Sequence, residues 1–257
     1  MIDFHMHIPA GEQAGFLAGA QFGPADFLTF MDKAGIDISV VLTHDGLFHP
    51  SPAENDKLAA FTAADPARMR ALGTVDPRAD WAVAETERCV HELGMHGLKL
   101  HPWLQGFCPH EPFMDPICEV LAPTSGVLIF HDGTPPYSSP LQIAALARRH
   151  PRVRFVLSHG GLHDCWREAR TAVTTTPNLH ICLCGTPPYA VRRIAAEVPP
   201  DQLLFGTDSG LSAEVEQPYA VTRVQELHAL GLPDHVLTAM TETNPRRLLG
   251  LPARAAA

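Results

Sequence analysis

No apolar run in this 257-residue chain approaches the roughly 18 residues that a membrane-crossing helix needs. Met1-Ile2-Asp3 lacks the basic stretch that opens a secretory signal. A cytoplasmic protein with no membrane contact is expected. The chain also lacks a strong cluster of Lys and Arg: 19 basic residues face 28 acidic ones, and the net charge of −9 repels a phosphate backbone. Nucleic acid is therefore not an expected partner. The six cysteines, Cys89, Cys108, Cys118, Cys165, Cys182 and Cys184, include no CxxC pair and have none of the density of a disulfide scaffold. They read as reduced thiols. Cys182 and Cys184, two apart in an apolar run, face one side of a strand and are read as small core residues. No linker, low-complexity segment or close internal repeat interrupts the chain.

What is present is a period. Short apolar runs recur at roughly 30-residue intervals, the length of a strand-helix unit. They are Ile2–Ile8, Ile38–Thr43, Met69–Val75, Gly97–His101, Val127–His131, Val153–His159, Leu179–Cys184 and Leu203–Thr207. Helix signals fill the gaps. Asp80 stands before Trp81–Leu93, Ser139-Pro140 before Leu141–His150, and Ala213–Leu230 stops at Gly231. Asn244-Pro245 reads as a cap and first turn opening a last helix through Leu249, after which Pro252–Ala257 reads as a frayed tail. Eight such units close most simply into a single (β/α)8 barrel spanning residues 1–257, with its chemistry at the C-terminal ends of the strands. A doubly wound sheet would carry a Gly-rich phosphate turn after its first strand, where this chain has His-Met-His-Ile-Pro.

The strand ends carry the polar load. His5, His7, His44, His101, His131 and His159, six of the fifteen histidines, fall there, together with Asp76, Lys99, Asp132 and Asp208. Residues i and i+2 of a strand project to one face, so His5 and His7 can offer two imidazole nitrogens to one ion, with His131, His159 and Asp208 at later strand ends. An HxH pair alone is equally a structural feature; the later strand ends favour metal. Imidazole and carboxylate suit Zn²⁺, the default choice, and also Mn²⁺, Fe²⁺ or Co²⁺. A bound divalent ion lowers the pKa of water from 15.7 to about 7. Asp208 could take the proton of that water, while His159 polarises a carbonyl or protonates a leaving group.

Lys99 lies inside an apolar run and is costly to bury without a partner, so it is assigned to the mouth, as an anchor for an anionic substrate group or, carbamylated, as a bridge to a second metal. His101 shares its face and is a candidate substrate contact. Trp103, with Tyr137 and Trp166, is a candidate pocket wall against the commoner packing use of such rings. His44 and Asp76 are read as either site or loop-capping residues, and Asp132 as support for a neighbouring ligand.

Ile2-Asp3-Phe4-His5-Met6-His7, Gly97-Leu98-Lys99-Leu100-His101-Pro102, Ile129-Phe130-His131-Asp132-Gly133, Leu157-Ser158-His159-Gly160-Gly161 and Leu204-Phe205-Gly206-Thr207-Asp208 resemble, in order, the motifs of the amidohydrolase superfamily. The nearest branch is the amidohydrolase-2 family, which includes aminocarboxymuconate semialdehyde decarboxylase, and Asn244–Gly250 resembles its closing helix. The resemblance implies a distorted barrel with one divalent metal on His5, His7, His131 and Asp208, and His159 as acid, base and polariser. In binuclear relatives the position of His159 ligates a second metal. The family holds hydrolases, nonoxidative decarboxylases and some hydratases. Two departures limit what the resemblance carries over: the chain is shorter than the decarboxylases, and the strand-seven segment His180–Gly185 lacks the acidic residue often found there. The decarboxylases also often begin with glutamate where this chain has His5, which tilts the reading toward hydrolysis. Hydrolysis of a small, carboxylate-bearing ester, lactone or amide is the leading expectation. Nonoxidative decarboxylation of a small acid is the alternative, and a degenerate, ligand-binding barrel the third. Homo-oligomerisation is expected from the family alone.

Overall fold

A computed structural model describes residues 1–8, 22–48, 50–210 and 219–254. Eight parallel strands alternate with helices: β1 (Ile2–His7), α1 (Pro24–Ala34), β2 (Ile38–Leu42), α2 (Ser51–Thr62), β3 (Met69–Leu72), α3 (Ala82–His91), β4 (Gly97–Leu100), α4 (Pro102–Gln105), α5 (Met114–Leu121) and β5 (Val127–Phe130). There follow α6 (Pro140–Arg149), β6 (Arg154–Leu157), α7 (Trp166–Thr174), β7 (Leu179–Cys182), α8 (Pro188–Glu197), β8 (Leu203–Leu204), α9 (Tyr219–Ala229), α10 (Asp234–Thr238) and α11 (Asn244–Leu248). Every apolar run contains its strand, but most ladders stop short of the run's polar end. His101, His131 and His159 thus stand just past the last paired residues, at the mouth.

Strands β1–β2–β3 and β4–β5–β6–β7–β8 form two ladders that join at both seams. At one seam Gly73 pairs with Leu98, and the Lys99 amide donates to the Gly73 carbonyl at 2.7 Å. At the other, Phe4 N donates to Phe205 O (2.9 Å), Asp208 N to His5 O (2.9 Å) and His7 N to Ser209 O (2.7 Å). The last strand thereby lies against the first, which puts Asp208 beside His5 and His7. Asp3 tightens this closure. Its buried carboxylate accepts from the His5 amide at 2.9 Å and from the Thr207 amide (3.1 Å) and hydroxyl (2.6 Å). The β1–β2 register slips between Asp3 and Met6, and Asp3 supplies the acceptor for the His5 amide there.

The inside of the barrel is filled by Phe4, Val40, Leu42, Ile129, Val156, Cys182, Cys184 and Leu204, with Leu248 and Leu249 closing the N-terminal end. A second, larger cluster lies between sheet and helices. All six cysteines are free, and Cys182 and Cys184 are core residues as expected.

Three sequence readings need correction or bounding. Ser139 caps α6 in a capping box with Gln142, as read, but α3 begins at Ala82 with Trp81 at its cap rather than with Asp80. Asn244 is not a cap: the chain is already helical from Asp234, and the Asn244 amide donates to the carbonyls of Pro200 (2.8 Å) and Leu203 (2.7 Å) at the start of β8. A buried side chain with strong donors goes to unpaired carbonyls wherever the fold places them. Residues 213–218 of the expected ninth helix, and 255–257 of the expected tail, lie outside the described residues.

His180, on β7 inside the lower barrel, gives a stability prediction. Its Nδ1 donates to Phe155 O at 3.3 Å, Arg247 donates to its Nε2 at 3.3 Å, and burial followed by the Arg247 charge pushes its pKa from 6.5 down to about 4. The unfolded imidazole therefore binds a proton that the folded one refuses, and stability is lost as pH falls from 6.5 toward 4. His180→Gln, which cannot titrate, should flatten the acid side of the stability curve by up to about 1.4 kcal/mol per pH unit. Urea midpoints measured across that interval would show it, and an unchanged slope would refute it.

Candidate metal centre

The mouth holds a cavity of about 140 Å³, lined by His5, His7, His44, Lys99, His101, His131, His159 and Asp208. Seven of these eight come from strand ends singled out in the sequence as site positions, and His44, left open between two roles, lines the wall too. Asp76 does not join them. It pairs with Arg78 at 3.0 Å in its own loop, which is the capping role.

The tightest grouping is a triangle. His5 Nε2 and His7 Nε2 are 3.1 Å apart, and they lie 3.2 and 3.1 Å from the same oxygen, Asp208 Oδ1. Atoms sharing an ion at about 2.1 Å are separated by roughly 3.0 Å when at right angles and roughly 3.4 Å when tetrahedral, so these edges fit a divalent cation. The Nδ1 atoms of both rings are buried with no hydrogen-bond partner among the described residues, which leaves the Nε2 side as the polar outlet of each imidazole. Burial, followed by the Lys99 charge, lowers the His5 pKa to about 3, and burial likewise holds His131 and His159 far below the usual range. Neutral imidazoles keep the lone pairs that ligation requires. Asp208 is drawn the other way. Burial would raise its pKa, but the surrounding His159, His5 and His7 rings hold it well below the carboxylate norm.

Asp208 reaches this corner through its backbone. Its φ of +60° lies in the left-handed region that aspartate tolerates better than most residues. Gly206 and Gly210 flank it where a side chain cannot fit: a Cβ on Gly206 would sit 2.8 Å from His5 Cβ, and one on Gly210 only 1.9 Å from the His7 carbonyl oxygen. Close approach of β1 and β8 is what brings the triangle together.

The other expected residues take up defined places. His131 lines the cavity, its ring stacked on His101 (centroids 3.7 Å apart, 12° between planes) and 4.3 Å from that of His159. His159 Nδ1 is 4.0 Å from Asp208 Oδ2, the oxygen that the triangle leaves free. Lys99 is buried and donates to Ser158 Oγ; burial pulls its pKa down to about 8, against the pull of Asp208. His101 Nδ1 accepts from the Leu104 amide at 3.3 Å and so also caps α4. Trp103, on the same helix, is half exposed and lies outside the cavity lining, as does Tyr137; Trp166 is buried, with Arg167 over its ring. Asp132 does not touch an imidazole. It accepts from the backbone amides of His159 (2.7 Å) and Gly161 (2.6 Å), and so sets the loop that carries His159.

Sequence reasoning missed Cys184 as a site residue. Its Sγ is 3.1 Å from His159 Nδ1, and its thiol, with His5, His159 and Asp208, belongs to a group whose donor atoms lie within 4.8 Å of one another. The alternation of Cys182 and Cys184 showed which face they share, but not that this face lies under His159.

A family model described as amidohydrolase matches residues 2–251. L-fucono-1,5-lactonase of Burkholderia ambifaria is 25% identical over 177 residues, 64% of this chain and 57% of that protein; the match spans little more than half the length of this curated relative. Among solved structures, 5-carboxyvanillate decarboxylase LigW from Sphingomonas paucimobilis superimposes with a TM-score of 0.75 at 17% identity, covering 98% of this chain and 99% of that one. The corresponding values for 2,6-dihydroxybenzoate decarboxylase from Rhizobium are 0.71, 20%, 97% and 98%. For LigW2 from Novosphingobium aromaticivorans, solved with bound manganese, they are 0.74, 16%, 97% and 97%. At these identities the superpositions carry the barrel fold.

Proposed function

Because this chain belongs to the amidohydrolase family, we propose that it is a metal-dependent hydrolase of a small ester, lactone or amide bearing a carboxylate. The observation that carries this reading is the His5–His7–Asp208 triangle with His159 on the free oxygen of Asp208. His5, His7 and Asp208, with His131 as a fourth ligand from the adjoining wall, would hold one divalent ion, zinc by ligand type or manganese as in the decarboxylase neighbour. Bound there, the ion supplies a Lewis acid and a readily deprotonated water near neutral pH.

The chain's own groups do the rest. Asp208 and His159 lie close enough to pass a proton between water and leaving group. Lys99, the buried cation of the cavity, offers the counter-charge for a substrate carboxylate, and His101 stands on the same wall.

The sequence match to a lactonase favours hydrolysis, and the family resemblance adds that His5 stands at a position where the decarboxylases often have glutamate. Nonoxidative decarboxylation is the second reading, favoured by neighbours that share the barrel over nearly the whole chain. Metal-loaded protein should release acid from sugar lactones and carboxylated lactones without releasing CO₂. Release of CO₂ from hydroxybenzoic acids, with the lactones left intact, would replace the first reading by the second.

A further inference from the structure

His159 is fastened at three points. Its amide donates to Asp132 Oδ1 (2.7 Å), its carbonyl accepts from the Thr186 hydroxyl (2.9 Å), and its Nδ1 meets Cys184 Sγ at 3.1 Å. The third contact has a direction. Cys184 Sγ also lies 2.9 Å from the carbonyl oxygen of Ser158, which can only accept; so short an S···O approach needs the thiol proton between the two atoms. A thiol has one proton, so toward His159 the sulfur acts as an acceptor. Nδ1 also lies 4.0 Å from Asp208 Oδ2, a second acceptor. Both neighbours therefore call for a hydrogen on Nδ1, and in the neutral ring Nε2 is left with the lone pair.

We propose that Cys184 is a positioning residue that locks His159 in the Nδ1–H tautomer, so that Nε2 enters the reaction as a proton acceptor rather than as a donor to the carbonyl oxygen. The tautomer stands on the contacts alone; its kinetic consequence rests on the hydrolytic reading. In that reaction the water proton moves to Nε2 as the new C–O bond forms at the lactone carbonyl. The same proton then passes from Nε2 to the ring oxygen as the old C–O bond breaks. One water is consumed, one hydroxy acid is formed, and His159 returns to its starting tautomer with the Nδ1 hydrogen never having left. While the ring is charged, Asp208 Oδ2 faces that hydrogen, the arrangement by which a carboxylate orients a catalytic histidine. The first proton transfer thus belongs to His159 in place of Asp208, whose other oxygen is committed to the triangle.

The test uses zinc-loaded protein labelled with ¹⁵N at histidine, with the His159 ring signals assigned by their loss in His159→Gln. Wild type should show a protonated Nδ1 and a bare Nε2. Cys184→Ser, whose hydroxyl can keep both hydrogen bonds, should retain that pattern, and Cys184→Ala should populate the Nε2–H form. On a lactone, Cys184→Ala should lower kcat by about tenfold or more with KM changed less than about twofold, while Cys184→Ser stays within about threefold of wild type. An Nε2–H ring in wild type overturns the proposal, as does a His159 spectrum indifferent to Cys184→Ala. So does a thiolate charge-transfer band in the cobalt-loaded protein, which would make the sulfur a metal ligand. If the spectra behave as expected and no lactone is turned over, the hydrolytic reading falls and the tautomer assignment stands.

Discussion

His5→Ala should yield a folded barrel that binds no stoichiometric divalent ion and turns over substrate at least about a thousandfold more slowly than wild type. The magnitude follows from the triangle. Removing His5 opens two of its three edges and leaves Asp208 Oδ1 with His7 alone. The fold should persist, because among the described residues the His5 ring bonds only His7 and Asp208; the strand is held by its backbone, through His5 O to the Asp208 amide and His5 N to Asp3. Elemental analysis, circular dichroism and lactone or acid turnover on one preparation separate these effects. If His5→Ala kept both ion and activity, the centre would lie elsewhere in the molecule.

Gly210→Ala should fail in the opposite manner, by losing the fold first. The added methyl would lie 1.9 Å from the His7 carbonyl oxygen and 2.9 Å from its carbon, and a φ of +98° is strained for any side chain. The clash is with backbone, so no rotamer relieves it. The β8–β1 seam must open, with the His7–Ser209 and His5–Asp208 backbone bonds at risk. A loss of about 3 kcal/mol or more is expected, in the range reserved for overpacking combined with backbone strain. Ion affinity should fall with it, although no ligand has been altered. Denaturant unfolding beside Gly35→Ala provides the control: Gly35 also has positive φ, but a Cβ there meets nothing within 4 Å, so only the conformational penalty applies. Equal destabilisation of the two variants would show that the seam tolerates the methyl.

The two variants separate what could be read along the chain from what could not. Strand positions were legible because burial on both faces forces continuous apolar runs, and the eight runs hold the eight strands. The polar ends of those runs were legible as one cluster because a barrel brings its strand ends to a common mouth, where His5, His7, Lys99, His159 and Asp208 line one cavity. The helix start at Ser139-Pro140 was legible because it is local, the cap and the first-turn proline adjoining the helix they open.

What misled was equally specific. Asn244 carries a good capping side chain, but its amide is used about forty residues away in sequence, on Pro200 and Leu203. Asp3 lies within the first apolar run, and closure of the barrel makes it the acceptor that joins β1 to Thr207. The stacking of His131 on His101 and the contact of Cys184 with His159 are ring and thiol positions that alternation along one strand does not specify.

Strand period and residue chemistry are local properties, so the barrel, the family and the set of polar side chains at the mouth could be read along the chain. Which of those side chains share an oxygen, which glycines let β1 and β8 meet, and that a cysteine lies behind His159 came from the folded chain alone. Those depend on distances between residues far apart in the chain, set to within an ångström by packing.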